Sequence, residues 1–176
     1  MNRKSARPLA VGKHLQLIDD GGWEYVDRAQ GTGVVAIIAF TDDDELVLTE
    51  QYRRPVKKKV VDLAAGLAGD IEGAETESLE LAAKRELLEE TGYTAGLMTY
   101  LFTAPSSPGM TTEMVAYFLA GQLKRKDDGG GDESESIKVH TIPLKKIASW
   151  LNRKQTKRTC VDPKVYAALG VLALRG

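Results

Sequence analysis
Glu86, Glu89 and Glu90 fall within five consecutive residues of the segment Arg85-Glu86-Leu87-Leu88-Glu89-Glu90-Thr91-Gly92-Tyr93. On a helix, Glu86 and Glu90 lie one turn apart on one face with Glu89 beside them, so the three carboxylates can converge on one spot. Like charges so placed repel unless a cation, an arginine or water separates them. Two arrangements relieve the repulsion. One is a solvated glutamate face laced by ion pairs such as Arg85 to Glu89, the common fate of such clusters. The other is a hard divalent ion, Mg2+ or Mn2+, which prefers oxygen ligands and keeps positions open for water and phosphate oxygens.

The context favours the ion. Glu77 is followed by seven residues, then Arg85-Glu86, then Leu87-Leu88-Glu89-Glu90-Thr91-Gly92 and Tyr93. This stretch resembles the Nudix box, the signature of a family of pyrophosphate-cleaving hydrolases. The box's first glycine is expected six residues before Glu77, where Ile71 stands; Gly66, Gly69 and Gly73 flank it, and the lengthened segment reads as an insertion with the turn re-routed through those glycines.

Four further segments, in order, resemble the ADP-ribose pyrophosphatase branch of that family. Glu50-Gln51-Tyr52-Arg53-Arg54-Pro55 resembles the segment whose arginine contacts substrate phosphates, which implies that role for Arg53. Leu63-Ala64-Ala65-Gly66-Leu67 stands where the branch has Leu-Pro-Ala-Gly, with Ala64 in place of the proline. The resemblance implies that the Ala65 carbonyl joins Glu86, Glu89 and Glu90 as metal ligands. Ser106-Ser107-Pro108-Gly109-Met110-Thr111-Thr112-Glu113 resembles the substrate-lining loop, pointing to Gly109 and Met110. Glu133-Ser134-Glu135-Ser136-Ile137-Lys138-Val139-His140 resembles the acidic loop that carries a catalytic glutamate just before a strand.

A pyrophosphate diester is doubly anionic and inert, so its hydrolysis needs neutralised phosphate oxygens, an in-line water and a base. The resemblance implies Glu135 as that base, with Glu133 second; the alternative is that Glu89 activates the water. Stacking on Trp23 or Tyr25 would hold a nucleotide base, although packing accounts for Trp23 equally well. In the branch the N-terminal strands exchange across a homodimer, and Arg28 would reach a partner's ligand. The implied activity is Mg2+-dependent cleavage of ADP-ribose or a related nucleoside diphosphate sugar to a nucleoside monophosphate and a sugar phosphate. GDP-mannose or ADP-glucose is the alternative substrate, since the lengthened loop after Gly66 can reshape the pocket, and a silent nucleotide-binding module is the alternative of another class.

The elements that must position these residues are legible as patterns. Trp23 to Val26 alternates as a half-buried strand, and Gly33 to Phe40 is an apolar run of the kind buried on both faces. Thr41 to Glu45 is a turn, with Leu46 to Tyr52 returning as the hairpin partner. Val60 to Leu63 is a short strand. The box helix is expected from near Thr76 or Glu77 to Gly92, with Leu79, Ala82, Ala83 and Leu87 inward. Strands follow at 97–102, 114–120 and 137–142, then helices from Leu144 to Leu151 and from Pro163 behind an Asp162 cap. Residues 1–20 are mixed in character. With the resemblance, this order implies an α/β/α Nudix fold, a mixed β-sheet between helices.

At 176 residues, 43% hydrophobic and a net charge of -1, the chain is expected to form a single domain over 1–176, with 1–30 contributing to dimerisation. The balanced charge makes no electrostatic case for nucleic acid as the main partner. Cys160 is the only cysteine, so an intrachain disulfide and a multi-cysteine zinc site are excluded, which suits a reducing compartment. No apolar stretch approaches the roughly 20 residues of a membrane span, and the basic N-terminus lacks an apolar leader core, so a cytoplasmic location is expected. His14 and His140 are isolated and lack metal spacing.

Overall fold
In the computed structural model, the chain is described over residues 6–29, 33–71, 73, 75–131 and 136–175. The first strands, β1 (Arg7–Val11), β2 (Leu15–Asp20) and β3 (Trp23–Arg28), form a three-stranded antiparallel sheet of their own. Two strands thus occupy the stretch whose mixed character showed no clear period. The apolar run at 33–40 becomes β4 (Gly33–Phe40), followed by β5 (Glu45–Arg53), β6 (Lys58–Asp62) and β7 (Ala64–Ala68). The box helix is α1 (Leu79–Thr91); β8 (Tyr93–Pro105), β9 (Met114–Arg125) and β10 (Lys138–Pro143) come next, then α2 (Leu144–Lys154), β11 (Thr159–Val161) and α3 (Pro163–Arg175).

β4 organises the second, mixed sheet. It runs parallel to β9 from Val34–Val115 to Ala39–Ala120, and antiparallel to β7 from Gly33–Ala68 to Ile37–Ala64. β5 touches β4 only at Ala39–Val47 and Phe40–Leu46, then pairs with β6 and β10. The expected β4–β5 hairpin is therefore short, because the long edges of β4 are taken by strands more distant in sequence. Alternation along β4 divides the core: Val35, Ile37 and Ala39 meet Ala82, Ala83 and Leu87 of α1, whereas Ala36 and Ile38 belong with Ile147 and Leu151 of α2 and Val165 and Ala168 of α3. Helices thus cover both faces of the sheet, the α/β/α arrangement expected. No helix among the described residues is long and apolar enough to cross a membrane.

Candidate active site
α1 brings the carboxylates into place. Ser78 caps it, its Oγ accepting from Leu81 N at 3.3 Å, and Gly92 ends it in the left-handed region at φ 74° with its N–H donating to Leu88 O at 2.8 Å. The helix starts at Leu79, two to three residues later than expected, because Ser78 caps it and Glu77 is engaged elsewhere, by Arg85. That arginine donates to Glu77 through Nε (3.2 Å) and Nη2 (3.0 Å), to Leu67 O through Nη2 (2.8 Å), and through Nη1 to Glu86 (2.8 Å) and Glu89 (3.1 Å). The bonds it donates to Glu77, outweighing the opposing effect of burial, raise the Arg85 pKa and hold Glu77 below the ordinary carboxylate range. One guanidinium therefore binds the loop before α1, the strand β7 and two of the clustered glutamates.

Glu90 is buried, and its Oε2 accepts from Ala65 N at 3.0 Å, which fixes the helix against β7. Glu86 is buried beside Gly66, where a Cβ would come within 2.0 Å of the Glu86 Cδ, so only glycine leaves room for that carboxylate. Burial pushes the Glu86 carboxyl up to about 7, with the neighbouring Arg85 charge opposing the rise. Among the described residues, no three acidic or histidine side chains are already gathered round one point, since Arg85 draws Glu86 and Glu89 to itself. The donor set is nevertheless wholly oxygen and anionic, and the glycine cradle leaves Glu86 beside the Ala65–Gly66 backbone, which fits a hard divalent ion.

A cavity of about 580 Å³ opens over these groups. Ala65, Glu86, Glu89, Glu90, Arg53 and Arg28, all singled out in the sequence, line it together with Ile71, Ser106 and Glu113. Arg28 lies at this chain's own cavity, held by Glu113 Oε2 through Nε (2.7 Å) and Nη2 (2.5 Å). Trp23, Gly109 and Met110 are not among the lining residues; Trp23 Nε1 donates to the Gly109 carbonyl at 3.3 Å, and Val26 N donates to Met110 O at 2.8 Å, so this loop carries the N-terminal sheet. Glu133 and Glu135 lie outside the described residues.

Asp62 and Lys164 also line the cavity, 2.9 Å apart, and sequence reasoning passed over both. Burial raises the Asp62 pKa to about 6 despite Lys164. Two signals were available. Asp62 interrupts an apolar strand, and Lys164 places a cation in the first turn of a helix, against the helix dipole.

Residues 31–162 match the NUDIX domain family. The chain belongs to that family. It is 31% identical over 144 residues to an ADP-ribose pyrophosphatase of Bacillus subtilis, covering 81% of this chain and 73% of that one. It is 32% identical over 144 residues to a methanol dehydrogenase activator of Bacillus methanolicus, with the same 81% and 73% coverage. A GDP-mannose pyrophosphatase of Pectobacterium atrosepticum is 30% identical over 161 residues, covering 87% of this chain and 77% of that one. The NUDIX fold is shared with a crystal structure of an ADP compounds hydrolase at a TM-score of 0.72 and 20% identity, covering 98% of this chain and 92% of that chain.

Proposed function
We propose that this NUDIX protein hydrolyses the pyrophosphate bond of ADP-ribose or a related nucleoside diphosphate sugar, giving a nucleoside monophosphate and a sugar phosphate, with Mg2+ as cofactor and Mn2+ able to replace it. One observation carries the proposal: a single cavity is lined by the box carboxylates and by Arg53 and Arg28. Glu86, Glu89, Glu90 and the Ala65 carbonyl would hold the ion. When bound, it would neutralise phosphate oxygens and acidify a water. Arg53 supplies a non-titrating fork to the pyrophosphate. Glu135, then Glu133, is proposed as general base, with Glu89 as the alternative; Trp23 or Tyr25 is proposed to stack on the nucleotide base, beside Gly109 and Met110 of the substrate loop. The relatives named ADP-ribose and GDP-mannose pyrophosphatase support the substrate class. Ile71, exposed at the cavity where the box glycine is expected, favours a second reading in which GDP-mannose or ADP-glucose is the substrate.

We also propose one catalytic domain over 1–176, a homodimer to which 1–30 contributes, and a cytoplasmic location, in keeping with the lone cysteine. The test of activity is a panel of ADP-ribose, ADP-glucose, GDP-mannose, UDP-glucose, dinucleoside polyphosphates and nucleoside triphosphates with Mg2+, read as phosphate released after phosphatase treatment. Release from a diphosphate sugar is expected, with Glu90→Gln lowering kcat by about 100-fold. Silence with both Mg2+ and Mn2+, or undiminished turnover by Glu90→Gln, would overturn the assignment.

A further inference from the structure
The net charge of -1 conceals a segregation of charge. Residues 51–61 and 145–161 carry 11 of the chain's 24 Lys and Arg and none of its 25 Asp and Glu, so the remaining residues hold 13 cations against 25 acids. Solvated faces ordinarily interleave both signs.

The fold joins these two segments. β11 runs parallel to β6 with Thr159 opposite Lys59, and Lys59 N donates to Arg158 O at 3.0 Å. At the tip of the β5–β6 hairpin, Lys57 N donates to Arg54 O at 3.2 Å and Lys57 takes φ 53°, a conformation rare for a residue with a side chain. Thr156 Oγ1 accepts from Arg158 N (3.2 Å) and Thr159 N (3.0 Å), forming the turn that carries Lys157 and Arg158. Arg54, Lys57, Lys157 and Arg158 are exposed, Lys58 is half-buried, and none of the five is within ion-pair distance of an acid among the described residues. Lys59 and Lys154, by contrast, are paired with the buried Glu50.

This ridge meets the cavity at Arg53. Arg53 lines the cavity, and Lys58 is its direct partner across β5 and β6, so the two side chains leave the sheet on the same face. The protein groups lining the cavity are six carboxylates and four cations, so apart from a bound divalent ion the lining offers an incoming phosphate anion no net attraction.

We propose that the basic ridge of the β5–β6 hairpin and the α2–β11 turn is a capture surface that draws a dianionic nucleoside diphosphate compound to Arg53 and so into the acidic cavity. It rests on the pyrophosphatase reading above. Concentrating an anion at a cleft raises the productive encounter rate without altering the bond-breaking step, and the effect is screened once the Debye length shrinks to a few ångströms.

The test compares the wild type with Lys57→Gln/Lys58→Gln/Lys157→Gln/Arg158→Gln, measuring kcat and kcat/KM for the best diphosphate substrate from about 20 mM to about 500 mM NaCl at saturating divalent ion. The expected result is a kcat/KM lower by about 3- to 10-fold at the lowest salt, an unchanged kcat, and curves that converge at the highest salt. Convergence also reports that the variant is folded with its site intact. A control with the same charge change elsewhere, Lys13→Gln/Lys84→Gln/Lys124→Gln/Lys126→Gln, should retain most of the wild-type salt dependence. Parallel curves for wild type and ridge variant, or an equal loss in the control, would overturn the capture surface while leaving the hydrolase in place. A wild type inactive on every diphosphate would instead remove the functional reading, and the capture surface with it.

Discussion
At the scale of single residues, Arg85 and Glu50 do the most to hold charged groups in fixed relation. Arg85 makes five hydrogen bonds to four residues, two of them proposed metal ligands, which requires a planar fork rather than a point charge. Arg85→Lys keeps the charge but cannot span Leu67 O, Glu77 and Glu86 together; kcat should fall by about 10- to 100-fold, with a lower melting temperature. Steady-state kinetics and thermal melts at pH 7.5 would check this, and wild-type values for both would show the fork to be dispensable. Glu50 lies on the other side of β5. Burial opposes its ionisation, but hydrogen bonds from Lys154 and His140 prevail and hold its pKa at about 2, against an ordinary 4.5. A depressed carboxylate pKa adds stability that is complete above the unfolded value and is lost as pH falls from about 4.5 through about 2, here up to about 3 kcal/mol. In urea unfolding, Glu50→Gln should therefore be less stable than wild type at pH 7, with the gap narrowing below about pH 4.5. A gap that stays constant down to pH 3 would contradict the linkage.

At the scale of elements, the decisive contact is between α1 and β7. Gly66 is needed because Glu86 occupies the space its side chain would fill. Gly66→Ala must push Glu86 away from the Ala65–Gly66 backbone, so activity should drop by about 10- to 100-fold, whereas Gly121→Ala, with nothing within 4 Å of the added methyl, should be near neutral. Equal kinetics for the two variants would show that Glu86 needs no such fit. α1 was legible because its signals are local: acidic residues at its start, Gly92 after it, and an apolar stripe that reappears buried at Ala82, Ala83 and Leu87; the Ser78 cap emerged only in the structure. β4 and the bulk of β5, β9 and β10 were legible for the same reason. β7 was not, because Ala64-Ala65-Gly66-Leu67-Ala68 has little strand propensity and exists through its pairing with β4. β11 is three residues set by β6, and the Asp62–Lys164 pair joins residues about a hundred positions apart. Local pattern carries no record of such long-range partners. Helical spacing gathered Glu86, Glu89 and Glu90, and the Nudix resemblance added Arg53 and Ala65; the fold brings all five to one cavity.

At the scale of the whole molecule, the N-terminal sheet poses the unresolved packing problem. A three-stranded sheet needs an apolar partner to be stable, yet β1 is exposed along its length and Ile18 is the sheet's only buried hydrophobic residue. Leu9, Val11, Leu15 and Trp23 remain 44%, 69%, 48% and 64% exposed. Within the chain the sheet is held chiefly by polar contacts to the 107–113 loop, namely Val26 N to Met110 O, Thr112 N to Val26 O, and Arg28 to Glu113. Apolar strands left uncovered in this way are the mark of an interface, and a second copy of the chain is the occupant proposed here. Light scattering coupled to size exclusion should accordingly report twice the 19.2 kDa chain mass at micromolar concentration. Leu9→Asp/Val11→Asp should return the particle to the chain mass, because a carboxylate buried at an apolar interface costs more than the contact returns. The cavity shares Arg28 with the end of this sheet, so loss of the dimer should also raise KM more than it lowers kcat. A wild type that runs at 19.2 kDa across the concentration range would show that the sheet stands uncovered in solution.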